Sequence, residues 1–439
     1  MKSDLKNEKK IRKNCNTINK LFEQYNILDE IEKNGYYEIT AEQIKDAGRE
    51  PRLMTKFDSS ENLPATFKIN KLAILPTQRG TYFIGKFNNY ENIQIDNNIE
   101  VETKRLPEFI TTIDYKNISS EAISLSSAYI SKMIEDVVGE EVVPTIQGRM
   151  GTGEFSYQIK VLDEDKEFTI DVKNSQMEID GSYEGISKFA IIEAKNHYMN
   201  DFIVRQLYYP YRVWKKITNK EIIPIMLIKH DNIFNFFVYK FEDENRYNSI
   251  KLKNIKRYIL DEVYNPIELD DIINVMNNVK FCNEDSDIPF PQADTFYRVL
   301  DLLNELNNNE MSALEISELY QFEIRQAHYY LSAGKYLGFI EKNSSAYKLS
   351  DYGKSIMKMS HKEKNLSIVA EILKHKPFYF ALESYLKDYD YDRAGIAKCI
   401  KENSPNVNEE STAVRRTSTV RAWVNWIIQL STNYDEIDI

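Results

Sequence analysis

SQMEIDGSYEGISKFAIIEAKNH, residues 175–197, holds two strand-like runs, and each ends on an acid. MEID stops at Asp180, and the apolar run KFAII leads into Glu193, Ala194 and Lys195. Side chains alternate along a strand, so Glu193 and Lys195 share a face, and the backbone carbonyl of Ala194 is available as a further oxygen ligand. Neighbouring strands are expected to present Asp180 and Glu193 at one sheet edge.

That arrangement suits phosphodiester hydrolysis, which needs the phosphate charge neutralised and a hydroxide produced near neutral pH. Carboxylate-bound Mg²⁺ does both. Asp180, Glu193 and the Ala194 carbonyl are the expected ligands, with Mn²⁺ as an accepted substitute for Mg²⁺. Lys195 would orient or deprotonate the water. The acid-x-Lys spacing alone is common here, since Asp114/Lys116, Glu164/Lys166 and Asp171/Lys173 also have it. Only Glu193/Lys195 adds a preceding buried-strand run, an upstream acid that ends another strand, and a downstream amphipathic helix carrying Arg205 and Gln206. A strand-end ion pair contributes only about 0 to 1 kcal/mol, so folding gives weak reason for the pattern.

Outward from this stretch, five segments are expected. Residues 1–110 read as a separate α+β module. It has a helix through NTINKLFEQYNILDEIEKNG, ended by Gly35, and a hairpin in FKINKLAILPTQRGTYFIGKF turning at Arg79 and Gly80. Residues 111–265 read as an α/β (α+β) domain, a mixed sheet flanked by helices. Its first helix starts near an N-cap at Ser119 or Ser120, and IIPIMLIKH and IFNFFVYKF are later strands. Acidic residues and three prolines make 266–292 a linker. Residues 293–360 read helix, helix, helix, hairpin, helix, the order of a winged-helix domain. Residues 361–439 are helical, with a second winged helix as the alternative.

The 439 residues exceed a single core, which stops growing near roughly 250 to 300 residues. No stretch approaches the roughly 20 apolar residues of a membrane span, and the start MKSDLKNEKKIRKN lacks an apolar signal segment, so a cytoplasmic protein without membrane contact is expected. Cys15, Cys282 and Cys399 form no CxxC pair, and the glycines of GRMGTG precede no Gly-Lys-Ser/Thr. Disulfide frameworks, zinc ribbons and nucleotide motors are therefore not indicated. The formal charge of −11 argues against indiscriminate nucleic-acid binding but leaves room for a local basic cleft.

EID at 178–180 with EAK at 193–195 resembles the PD-(D/E)XK nuclease core of type II restriction endonucleases, without the proline of the nominal motif. SEAISLSSAYISKMIEDVV, PTIQGRMGTGEFSYQI, IDGSYEG, IIEAKNH and DFIVRQLYYPYRVW extend the likeness to about a third of the chain. The resemblance implies sequence-specific cutting of double-stranded DNA, leaving 5′-phosphate ends. It also implies a homodimer with two active sites, a cognate DNA methyltransferase, and an acid on the preceding helix completing the site, for which Glu121 is the first choice and Glu135 the second.

Expected DNA contacts are Arg149 in the glycine-flanked turn, Arg205 and Gln206 near the site, and Arg325, Gln326 and His328 on the candidate reading helix. Arg415, Arg416 and Arg421 lie among Trp423 and Trp426, which read as core residues. Two alternatives stand beside the restriction reading. One is a DNA-binding regulator on a nuclease scaffold, and the other is a repair or junction nuclease.

Overall fold

The computed structural model describes residues 18–431 except 49, 56, 119, 261, 262 and 321, and leaves out the side chains of 52 and 53. Cys15 and Ser119 lie outside the described residues. The protein is mixed α/β with mixed sheets. Among the described residues, no helix is long and apolar enough to cross a membrane. The chain divides into two compact units. The first comprises residues 1–94, 120–229 and 234–256, and the second residues 95–119, 230–233 and 257–439.

In the first unit the N-terminal helical stretch breaks at Asn26, whose φ is 47°, and resumes as Ile27–Asn34. Gly35, at φ 84°, ends it with its N–H on the Ile31 carbonyl, as expected of a left-handed C-cap. The hairpin also forms, Ala73–Gln78 against Thr81–Gly85. It does not close a separate module. A five-stranded sheet runs in the order Tyr36–Thr40, Thr81–Gly85, Ala73–Gln78, Glu167–Lys173, Glu154–Lys160, so residues before and after the expected boundary at 110 share one sheet. The open edge of a hairpin strand needs a partner, and the later pair supplies it.

A second sheet in this unit carries the segment read first. Gly181–Glu184 lies antiparallel to Lys188–Lys195, which lies parallel to Glu221–His230. The parallel pair is joined through the helix Arg205–Ile217, the crossover that parallel strands require. Glu221–His230 and Ile233–Phe241 are neighbours linked by Asp231 and Asn232, both at positive φ, a pair suited to a tight hairpin turn.

The helix Glu121–Ile130 is capped by Ser120, whose Oγ accepts from the Ile123 N–H at 3.2 Å. It packs close to the strand pair. A Cβ on Gly181 would lie 3.2 Å from Leu125 Cδ1, a tight contact that the leucine would have to yield to. The helix ends at Ile130 with Ser131 as its C-cap, Lys132 breaks the path at φ 66°, and Met133–Val138 follows as a separate turn of helix.

The second unit holds Phe296–Asn308, Ala313–Leu319 and Ile324–Tyr336, then the antiparallel strands Ile340–Asn343 and Ala346–Leu349, then Asp351–Met357, the order expected for 293–360. Met311 adds a bridge to Tyr347. The expected linker is not wholly irregular: Leu269–Asn278 is a helix with Ile272 and Met276 buried, because its apolar residues recur at helical spacing despite the acidic surroundings. Beyond it come four helices, His361–Leu373, Lys376–Asp388, Arg393–Asn403 and Glu410–Gln429. Among the described residues after 360 no hairpin forms, so the alternative of a second winged helix is corrected. Trp423 and Trp426 are buried, packed on Phe296, and Trp423 Nε1 donates to the Ala293 carbonyl at 2.7 Å. The helix they sit on builds core instead of a wing.

Candidate active site

The antiparallel register sets Gly181 opposite Ile192, which brings Asp180 level with Glu193 at the sheet edge. Asp180 Oδ2 accepts the Ala194 N–H at 2.9 Å, so its carboxylate is fastened to the residue between the other two site side chains. Glu193 and Lys195 are both only 6% exposed, on the shared face that alternation dictates, and Lys195 Nζ stands 2.6 Å from Glu193 Oε1.

Two more carboxylates converge on the same ammonium. Glu121 Oε1, from the first turn of the capped helix, lies 3.7 Å from Lys195 Nζ, and Asp58 Oδ2 lies 3.9 Å from it. Ser124 Oγ donates to Asn196 Oδ1 at 2.6 Å, tying the Glu121 helix to the end of the Lys195 strand. The second-choice acid, Glu135, pairs instead with Lys132 at 2.5 Å. Glu121 alone of the two reaches the site, because the break at Lys132 separates their helices.

Gln206 differs from its expected role in phosphate contact. Its Nε2 donates to Glu193 Oε1 at 2.5 Å, so it orients a carboxylate, while its Oε1 is buried without a hydrogen-bond partner.

Burial pushes the Glu193 carboxyl up to about 8, with Asp180 and Asp58 adding to the effect against the pull of Lys195. Burial, Asp180 and Asp58 also raise Glu121. For Lys195, burial alone would lower the ammonium, yet the four carboxylates outweigh it and hold it well above the usual lysine range. The pair is read as a charged Lys195 facing a surplus of negative charge that belongs to the whole cluster. Four acids stand against one ammonium.

As the side chains lie, no group of three or more His, Cys, Asp or Glu residues among those described is disposed to hold a metal ion, and the Lys195 ammonium stands among the carboxylates. The donor set nonetheless suits a hard divalent cation. It is all oxygen, it is short of positive charge, and it keeps an unsatisfied buried oxygen on Gln206. Asp180, Glu193 and the Ala194 carbonyl are the groups that would hold it.

The other expected contacts are dispersed. Arg149 is exposed but pairs with Glu178 at 3.2 Å across the strands Gly148–Gly151 and Gln176–Ile179. Arg205 lies over the Tyr209 ring, with its Nε buried and unpartnered. In the second unit Arg325, Gln326 and His328 are exposed on one helix whose Ala327 and Leu331 are buried. On the last helix Arg415 is exposed, Arg416 is partly buried, and Arg421 lies over Tyr391.

Asp58 carries no sequence signal of its own. Its approach to Lys195 spans more than a hundred residues, and no local pattern around FDSS marks it.

Three family models match the chain, each described as a domain of unknown function. They are DUF6996 over residues 16–84, DUF6997 over residues 85–259 and DUF7226 over residues 298–432. No curated protein and no solved structure matches. The first match contains Asp58 and the second contains Glu121, Asp180, Glu193, Lys195 and Gln206. The join between them, at residues 84 and 85, falls inside the strand Thr81–Gly85.

Proposed function

We propose that this chain is a Mg²⁺-dependent, sequence-specific endonuclease of double-stranded DNA, with a PD-(D/E)XK type core in the first unit and a winged-helix reader in the second. The observation that carries the reading is the meeting of Asp180, Glu193, Glu121 and Lys195 at one strand end, with Gln206 aiming Glu193. A charge-balanced salt bridge would not need so many acids.

Bound divalent cation would supply positive charge to the phosphate and acidity to a water. The protein groups then have separate tasks. Asp180 is held by the Ala194 N–H and Glu193 by Gln206, so neither must reorganise when a substrate arrives. Lys195 Nζ, kept charged, hydrogen-bonds the attacking water and a non-bridging phosphate oxygen. Water adds to phosphorus and gives up its proton to solvent, the bond to the 3′-oxygen breaks with that oxygen taking up a proton from solvent, and the 5′-phosphate remains on the other fragment. Cutting both strands calls for two copies of the site, hence a homodimer, and a host would need a cognate methyltransferase and a cytoplasmic location for the pair.

Arg325, Gln326 and His328, exposed on Ile324–Tyr336, are the groups offered to base edges, and the hairpin Ile340–Leu349 is the wing. Arg325→Ala is expected to weaken specific binding about tenfold.

Incubating the purified protein with plasmid and Mg²⁺ tests the activity. Discrete fragments are expected. Random or structure-limited nicking would indicate a repair nuclease, and binding without cutting would indicate a regulator.

A further inference from the structure

Asp58 is the one site carboxylate contributed from the N-terminal hairpin region, and its surroundings are built to aim it. Asp201 is buried and spent entirely on the loop. It accepts from Ser59 Oγ at 2.6 Å, from the Ser60 N–H at 2.8 Å and from Ser60 Oγ. The Asp58 carbonyl accepts the Ile203 N–H at 2.9 Å, and the Phe57 carbonyl accepts Tyr90 Oη at 3.0 Å. Asp201–Ile203 itself pairs with Tyr90–Asn92, so the loop is fastened from two strands.

The Asp58 carboxylate, by contrast, receives no hydrogen bond from any described residue. Its nearest charged partner is Lys195 Nζ at 3.9 Å, beyond direct hydrogen bonding, and its side chain keeps 23% of its surface exposed. An acid with an anchored backbone, whose carboxylate meets Lys195 only across 3.9 Å in a cluster already rich in acid, adds little to folding in that position. The position makes sense when a cation joins the cluster.

We infer that Asp58 is a metal-holding residue of the site, a fourth carboxylate that binds the divalent cation together with Asp180 and Glu193 or holds a second cation beside it. This rests on the reading of the site given above. It makes the region before residue 85 part of the active site instead of a separate module, and Asp201 a positioning residue for it. It also gives a reason why the five-stranded sheet joins residues 36–85 to residues 154–173.

The test is isothermal titration of Mn²⁺ into the EDTA-treated full chain, comparing wild type with Asp58→Asn, Asp58→Ala and Asp180→Asn, with a thermal melt of each in EDTA. Both Asp58 variants are expected to lose at least tenfold in Mn²⁺ affinity, or one of two binding events, while melting at or above the wild-type temperature in EDTA. Asp58→Asn binding Mn²⁺ as wild type does, beside an Asp180→Asn that does not bind, would overturn the role of Asp58 and leave the site reading standing. A lower melting temperature for both Asp58 variants with unchanged Mn²⁺ affinity would make Asp58 a structural partner of Lys195 and overturn the inference. Wild-type protein that takes up no Mn²⁺ would overturn the site reading and this inference together.

Discussion

The two units each bury an ionic cluster, and the two clusters are balanced in opposite ways. In the second unit a single acid, Asp231, at the tip of a hairpin, meets Lys364 Nζ, His361 Nδ1 at 3.1 Å and Asn365 Nδ2 at 2.7 Å. Burial alone would raise Asp231, yet Lys364 and His361 hold it well below the ordinary carboxylate range. In the first unit four acids meet one ammonium, and Glu193 goes the other way, up to about 8. The first arrangement is what stability asks of a buried charge, which must be paired and hydrogen-bonded. The second falls short on the same criterion, because four carboxylates surround a single ammonium.

The comparison breaks most visibly on the two lysines. Lys195→Ala is expected to lower plasmid cleavage by about 10³-fold, the scale of losing a preorganised charge donor, while DNA binding is retained. Cleavage that persists would remove Lys195 from the chemistry. Lys364→Ala should do the reverse, costing the second unit roughly 3 to 5 kcal/mol by stranding Asp231, with cleavage per folded molecule unchanged. Calorimetric unfolding checks this, and an unchanged second-unit transition would contradict it.

The acids sharpen the contrast. In EDTA near neutral pH, Glu193→Gln removes the cost of a buried carboxyl pushed up to about 8 and should raise the first-unit melting temperature by about 2 to 4 °C, whereas Asp231→Asn should lower that of the second. A fall in both would erase the distinction.

A smaller effect concerns His375. Burial would lower it, but Cys282 and Glu284, the latter at 2.9 Å, push it up to about 9. A folded value above the unfolded 6.5 means stability fully present below about pH 6.5 and lost as pH rises through 9. The second unit should therefore melt a few degrees lower at pH 9.5 than at pH 6.5, and His375→Gln should flatten that difference.

What was legible in sequence was local. Strand alternation put Glu193 and Lys195 on one face, a short connection put Asp180 beside them, and Ser120 and Gly35 marked helix ends through backbone chemistry that needs no tertiary information. What was not legible depended on pairing at a distance. The sheet that merges residues 36–85 with 154–173 arises because a hairpin edge needs a partner, and nothing in either segment names the other. Asp58 enters by that route. Helical periodicity marks Gln206 but does not distinguish a group facing DNA from one facing Glu193. The buried pairing of Asp231 with a helix more than a hundred residues later is equally non-local, and Asp-Asn reads only as a turn.

An anomalous difference map from crystals grown with Mn²⁺ reaches the central claim most directly. The expected result is a peak bounded by Asp180, Glu193 and the Ala194 carbonyl, with Lys195 displaced from Glu193. Saturating Mn²⁺ with no peak in this cluster, and Lys195 still on Glu193, would contradict it.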